Sequence, residues 1–270
     1  MIGLSPFNSW PEYCRYVVRL DIILRTYDGA SVHPRRFDKP KRDIVQRSVR
    51  SLCTAIKQVP VLRKGVFGYD IKLTIIDDHS STDTLSYLRN ETEFMGDSAN
   101  LIPLHHTGNN ASMLSALQMA RDSEADLVYV VEDDYLHQPD ALTLGLEAWH
   151  DFRVKCPLEF TGISLVDCPT NYYPEERDGS QCLVVGGTDR PWRTIDHTGV
   201  CFLLPRGVIK KHWECFDEIA RYWPYLEEKL TFNRLWNTDV GMFCPLVPLS
   251  YHLWENHPYY PVDELWEANQ

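Results

Sequence analysis

Three clusters of ionisable residues follow three short apolar runs in this chain. Arg25-Thr26-Tyr27-Asp28 stands behind Val17 to Leu24, Asp77-Asp78-His79-Ser80-Ser81-Thr82-Asp83 behind Ile71 to Ile76, and Glu132-Asp133-Asp134 behind Leu127 to Val131. Three adjacent carboxylates repel one another unless a cation sits among them. Hard divalent ions such as Mg2+ or Mn2+ take oxygen ligands, typically one or two carboxylates plus substrate phosphate oxygens. An ion held that way stabilises the charge that grows on a diphosphate as its bond to a sugar breaks. The plainer reading is a solvated acidic turn ahead of the helix that Pro139 starts, since Asp is a common turn residue. That reading serves for one cluster; three in register are less easily dismissed.

The elements around the clusters must bring them together. Val45, Val49, Leu52, Ile56 and Val59 recur at helical spacing behind Pro40, which predicts an amphipathic helix. Leu101 to Leu104 reads as a third strand, and Gly108-Asn109-Asn110 leads into a helix carrying Met113, Leu117 and Ala120. Leu127 to Val131 is a continuous apolar run, as expected of a parallel strand covered on both faces. Pro139 starts a further helix with Leu142, Leu146 and Trp149 on one side. Such alternation predicts an α/β fold with a doubly wound, mostly parallel sheet flanked by helices. Ligands of these sheets bind at the carboxyl ends of the strands, so clusters roughly 50 residues apart converge on one edge.

Beyond about residue 160 the rhythm changes. Ile163 to Val166, Val200 to Leu204 and a stretch near Leu246 to Leu249 read as strands, and Cys168 to Arg190 as a long irregular loop. Without repeats or low-complexity linkers, residues 1–270 read as one domain. It divides into a regular half over about 15–150 and an elaborated half over about 151–270.

Bulk properties narrow the function classes. The composition, 44% hydrophobic and 24% charged, is that of a globular protein. A formal charge of −11 lacks the basic footprint of a duplex nucleic-acid binder, so no nucleic acid is expected as a partner. No apolar stretch is long enough for a transmembrane segment. Met1 to Tyr16 does not read as a signal peptide. The eight cysteines fall singly, without a CxxC pair, and read as reduced thiols, which points to a cytoplasmic location.

The order and spacing of these motifs resemble family 2 glycosyltransferases of the GT-A fold. In that family the first strand ends in a motif like Arg25-Thr26-Tyr27-Asp28 and the second in one like Asp77-Asp78-His79-Ser80-Ser81-Thr82-Asp83, here with one extra residue. The fourth ends in the DxD signature, here Glu132-Asp133-Asp134, and Asn109-Asn110-Ala111 resembles the segment that passes close to the nucleotide. The match covers residues 18–140 well and the rest loosely, and it implies a nucleotide-sugar-binding half at about 15–150 and an acceptor-binding half at about 151–270. The resemblance implies that Arg25, Tyr27 and Asp78 surround the nucleobase, with Asn110, Glu132 and Asp133 also on the nucleotide side. It makes Asp134 the direct ligand of Mn2+ or Mg2+, while Glu in the first DxD position lengthens that residue's reach.

The family's inverting members use a carboxylate from the second half as catalytic base. Asp239, in Trp236-Asn237-Thr238-Asp239, takes that place by chain order, with a helix cap as the alternative and Asp196 as runner-up. Such a base must lie within hydrogen-bond reach of the acceptor. The GT-A fold often returns a histidine to the ion, which suggests His252, with His257 as competitor. His105 and His106 are poor ligands, because adjacent strand side chains point to opposite faces. Arg193 is a candidate to hold the diphosphate. Tyr172, Tyr173, Trp254, Tyr259 and Tyr260 are candidates for an acceptor platform, or for plain packing.

The function this implies is metal-dependent transfer of a sugar from a nucleotide-sugar donor to a hydroxyl acceptor such as a glycan, with inversion. UDP is the first choice of nucleotide, with GDP or dTDP after it. Two alternatives stand beside it. A sugar-phosphate nucleotidyltransferase would carry a glycine-rich basic loop after the first strand, where this chain has Gly29 alone. A non-catalytic carbohydrate-binding protein leaves three acidic strand ends unexplained.

Overall fold

The computed structural model describes residues 17–29, 37–60, 68–167, 182–186, 190–225, 227–253 and 262–270. Strand β1 (Val17–Thr26) is rich in β-branched and aliphatic residues and loses its alternation toward its end, where five consecutive residues are buried. It lies between two parallel neighbours, β2 (Gly68–Asp77) and β4 (Leu127–Glu132), and β3 (Ala99–Pro103) pairs with β2 outside them. Burial on both faces is what a continuous apolar run such as that of β4 requires.

Helix α1 (Lys41–Gln58) starts directly after Pro40 and buries Val45, Val49, Leu52 and Ile56, as the spacing predicts. The sequence-predicted helix behind Pro139 is α4 (Ala141–Phe152). Helices α1 and α4 share one apolar cluster with one face of the sheet. Helix α2 (Thr82–Thr92), capped by the Ser81 side chain, packs beside α1. Helix α3 (Asn109–Asp122) covers the other face with α5 (Arg206–Lys211) and α6 (Trp213–Tyr222). The layout is three-layered α/β.

Among the described residues the central sheet has nine strands in the order β3-β2-β1-β4-β9-β6-β10-β8-β7. It draws on both halves of the chain through β6 (Phe160–Ile163), β7 (Val184–Gly186), β8 (Pro191–Thr194), β9 (Phe202–Pro205) and β10 (Val240–Pro245). Most strands point one way; β9 and β8 run against them. A separate two-stranded ribbon joins β5 (Tyr135–His137) to β11 (Ser250–His252). Helix α7 (Val262–Ala268) closes against it, with Trp266 buried beside Leu136 and Tyr251.

The second half departs from its sequence reading at three places. The strand expected over Ile163 to Val166 lies earlier, because Gly162 lets β6 pass tightly between its neighbours. A Cβ there would meet the Leu204 side chain at 2.5 Å and Met242 at 2.6 Å. The strand expected at Val200 to Leu204 begins and ends slightly later, as β9. The strand expected near Leu246 to Leu249 falls on the connection between β10 and β11. Glycine at its second position and proline at its end hide β10 from a propensity reading.

Candidate functional site

The carboxyl ends of β1, β2 and β4 do converge. Arg25 stands opposite Glu132 in the β1–β4 ladder, and Thr26 opposite Asp77 in the β1–β2 ladder. The acidic triplet is not one patch, however: its three carboxylates point to three different partners. Glu132 Oε1 accepts from Arg25 Nη1 at 2.9 Å. Asp133 is buried, one oxygen engaged by Lys41 of α1 and the other accepting from the Tyr27 backbone N–H at 2.7 Å. Asp134 faces His252, whose Nε2 lies 3.5 Å from Oδ1. Two of the three charges are therefore met by the protein's own cations, Arg25 and Lys41.

Burial raises the pKa of both Glu132 and Asp133, opposed chiefly by Arg25 for the first and Lys41 for the second. Asp133 is a tie between β4, α1 and the turn after β1, and both its oxygens are committed inside the protein. Its assignment to the nucleotide does not fit this geometry. Lys41, which nothing in the sequence singles out, is the partner that sequence reasoning missed.

Arg25 is likewise an internal brace. It is 6% exposed, and besides Glu132 it donates to Ser112 Oγ at 3.2 Å and engages Asn109 at both the side chain and the carbonyl. It thus fixes the amino end of α3 to β4. Asn109, rather than Asn110, joins this cluster. Asn110 instead caps the end of α6, its Nδ2 donating to the carbonyls of Arg221 and Trp223 at 3.1 and 2.8 Å.

The turn behind β2 is built the same way. Asp77 accepts from Thr26 Oγ1 and the Ser80 N–H, both at 2.9 Å. Asp78 accepts from the Gly108 N–H at 2.8 Å and lies 3.0 Å from His79 Nδ1. Gly108 (φ 111°) and His79 (φ 63°) both occupy the left-handed region, natural for glycine and uncommon for histidine. Asp28 collects bonds from Ser81 and Thr84. Burial works against its charge, yet those bonds carry its pKa below the usual value. Of the residues expected around a nucleobase, Tyr27 has its ring in water, 44% exposed.

His252 reaches Asp134 because the β5–β11 ribbon puts it opposite Tyr135, on which its ring stacks at 4.5 Å, and because the Leu253 N–H donates to the Asp134 carbonyl at 2.9 Å. One carboxylate and one imidazole suit Mn2+ better than Mg2+, which favours oxygen alone, and leave coordination positions for phosphate oxygens and water. Among the described residues no group of three or more His, Cys, Asp or Glu side chains forms a complete metal cage. Beneath the pair, His137 Nε2 lies 2.8 Å from the Tyr129 hydroxyl, which lies 3.6 Å from Cys201 Sγ. All three are buried, and burial raises the Tyr129 and Cys201 pKa and lowers that of His137 to about 3.

Two expected residues lie elsewhere. Glu132 stands three residues beyond Tyr129; Tyr129 is level with Leu203, Ile163 and Phe243 across the sheet; Asp239 stands four residues before Phe243. Seven residue steps, about 23 Å along the strands, therefore part Asp239 from Glu132. It belongs to the amino edge, half-exposed beside Lys211 and His212, and is neither a helix cap nor within reach of this site. Arg193 is buried in β8 and engages the buried Asp167. Strand β8 stands four strands along the sheet from β4.

Asp196 is partly buried between Ile195, whose carbonyl accepts from Asn237 Nδ2, and His197, whose ring meets Asn233. Three residues on, a Cβ built on Gly199 would stand 3.6 Å from the Tyr135 hydroxyl. His257, Tyr172, Tyr173, Trp254, Tyr259 and Tyr260 lie outside the described residues.

No family model matches the chain, and no curated protein matches it by sequence. Solved structures do match in part. The S. aureus protein TarS is 13% identical with a TM-score of 0.47, over 84% of this chain and 36% of that one. The galactosyltransferase LgtC, solved with donor and acceptor sugar analogues, is 11% identical with a TM-score of 0.47, over 82% of this chain and 72% of that one. A mannosyltransferase from Pyrobaculum calidifontis, in complex with GDP-Man and Mn2+, is 14% identical with a TM-score of 0.44, over 73% and 47%. The chain thus spans about a third of TarS, and 60% of a TarS fragment of residues 1–349. Likenesses of this degree carry no weight for function, which rests on the side chains described above. No described helix is long and apolar enough to cross a membrane.

Proposed function

We propose that this chain is a GT-A-type glycosyltransferase, moving a sugar from a nucleoside-diphosphate donor to a hydroxyl acceptor with a divalent metal. The observation that carries the reading is the Asp134–His252 pair, held by the β5–β11 ribbon beside the braced Arg25–Glu132 pair. The base of the nucleotide stacks on Tyr27, the exposed ring at the end of β1. Asp134 and His252 are the proposed ligands of Mn2+, and Mg2+ is the weaker fit. When bound, the ion supplies Lewis-acid stabilisation of the diphosphate's charge. Glu132, partly exposed behind its Arg25 bond, faces the ribose or the water shell.

In the transfer, the acceptor oxygen bonds to the anomeric carbon as the bond from that carbon to the diphosphate oxygen breaks. The acceptor's proton passes to a carboxylate. With Asp239 at the far edge, Asp196 is the proposed base and inversion the proposed outcome. UDP remains the first choice of nucleotide, with GDP and dTDP following.

A thermal-shift series with UDP, GDP and dTDP, each with and without Mn2+, tests the reading. A bound ligand raises the unfolding temperature by mass action, so at least one diphosphate is expected to do so only with the metal present. If none stabilises the protein, and none of the corresponding nucleotide sugars is consumed with Mn2+, the reading fails.

A further inference from the structure

The rungs of the β5–β11 ribbon serve different ends. Antiparallel partners share a face, as do residues two apart along a strand. Tyr135, His137, Ser250 and His252 therefore lie on one face, with His137 opposite Ser250 and Tyr135 opposite His252. Leu136 and Tyr251 take the other face, buried with Trp266 of α7. The Tyr135–His252 rung belongs to the metal pair: its rings stack at 4.5 Å within 5° of parallel, and His252 faces Asp134.

The His137–Ser250 rung holds the anchors. The His137 N–H donates to Ser51 Oγ of α1 at 3.0 Å, and the Ser250 N–H to the Leu165 carbonyl beyond β6 at 2.9 Å. The His137 ring reaches a third element, β4, at the Tyr129 hydroxyl, 2.8 Å from Nε2. Three parts of the main body thus meet at one rung, about 7 Å along the strand from the stacked pair.

Stability alone does not call for the Tyr129–His137 bond. Both side chains are buried, and Tyr129 lies in the apolar cluster with Leu127, Val131 and Leu203. Taking a hydroxyl and an imidazole out of water costs free energy that their bond offsets, and an apolar pair of the same shape can be as stable. What the bond adds is direction. Apolar contacts let a ribbon slide, whereas a hydrogen bond weakens steeply off its line. Metal ligands need that precision, because their distances hold to about 0.2 Å.

We propose that Tyr129 and His137 are positioning residues: their bond sets the seat of the ribbon on the sheet and, through the stacked rung, the approach of His252 to Asp134. The assignment rests on the metal-dependent glycosyl-transfer reading.

Mn2+ titration followed by electron paramagnetic resonance, on the full chain alone and with UDP, GDP or dTDP, tests it without turnover. The parent is expected to hold one Mn2+ in at least one of these mixtures. Tyr129→Phe leaves the His137 ring without its partner and should bind Mn2+ in that mixture about tenfold more weakly, as loss of an outer partner of a metal site does. Tyr129→Phe/His137→Leu removes both ends of the bond, so its urea midpoint should return toward the parent's while its Mn2+ affinity stays lowered. The double variant carries the test if the single one fails to fold. Phe216→Leu, in the core on the sheet's opposite face, should lose stability and keep the parent's affinity. The assignment is overturned if the double variant binds Mn2+ as tightly as the parent, or if affinity merely follows stability across the three variants. Parent protein that takes up no Mn2+ in any mixture sinks the metal-dependent reading and this assignment with it. Binding by the parent, matched by the double variant, sinks the positioning role alone.

Discussion

The two edges of the central sheet carry the same kinds of side chain and hold them differently. At the carboxyl edge Arg25, Lys41 and Asp133 are almost fully buried, and each carboxylate of the triplet has its own direction and partner. At the amino edge Lys211 sits between Glu159 and Asp239, and Arg206 meets Glu124, all of them substantially exposed. Exposed pairs are screened and contribute little to stability. A buried pair is expensive to assemble and more so to break. The carboxyl edge is thus a built site and the amino edge a solvated rim, although a residue count would rate them alike.

The largest expected effect contrasts Asp134 with Asp239. Asp134→Asn should lower metal-dependent turnover of the nucleotide sugar by roughly three orders of magnitude, since it removes a proposed metal ligand. Asp239→Asn, about 23 Å away by strand register, should leave turnover within about twofold. Steady-state assay of diphosphate release reads both. Equal losses in the two variants would erase the distinction between the edges.

Next comes the base. Asp196→Asn should cut turnover by roughly two to three orders of magnitude while leaving diphosphate-dependent thermal stabilisation in place. Retained turnover would move the base elsewhere and leave the donor side of the reading untouched.

Stability separates the edges next. Arg25→Met strands Glu132 beside Asp134 and cuts the tie to Asn109, so urea unfolding should lose about 3 kcal/mol. Lys211→Met, at the rim, should leave the urea midpoint unchanged within error. If the two midpoints fall equally, the braced character of the carboxyl edge is wrong.

What was legible in the sequence follows from how local its cause is. The run Leu127 to Val131 and the spacing of Val45, Val49, Leu52 and Ile56 state their environment within a few residues, so the elements of the first half and their shared edge could be read directly. The pairings could not. Lys41 meets Asp133 across 92 residues, and nothing near either announces the other. Asn109 and Asn110 are neighbours in sequence but about 100° apart around a helix, so one faces Arg25 and the other α6. Asp239 was misjudged because chain order says nothing of strand direction: a residue before a parallel strand lies on the edge opposite one that follows its neighbour. In the second half, Gly162, Gly241 and Pro245 are packing solutions that blur the strands containing them.

The smallest effect concerns pH. His137 lies in β5, three residues after Asp134, buried with Tyr129, and burial lowers its pKa to about 3 from 6.5. The folded state therefore refuses a proton that the unfolded chain accepts. Stability contributed by this group is full above pH 6.5 and is lost as the pH falls from there toward 3. Between pH 7 and pH 5 the loss is about 2 kcal/mol, from a slope near 1.4 kcal/mol per pH unit below 6.5. Other groups titrate over the same range, so the measurement is a difference. Urea unfolding of the parent and of His137→Gln is compared at pH 7, 6 and 5. The variant starts lower, having lost a shaped ring, and the gap should narrow by about 2 kcal/mol on acidification. Parallel curves would mean that water or a proton reaches His137 in the folded protein, and that the floor beneath Asp134 and His252 is as open as the rim around Asp239.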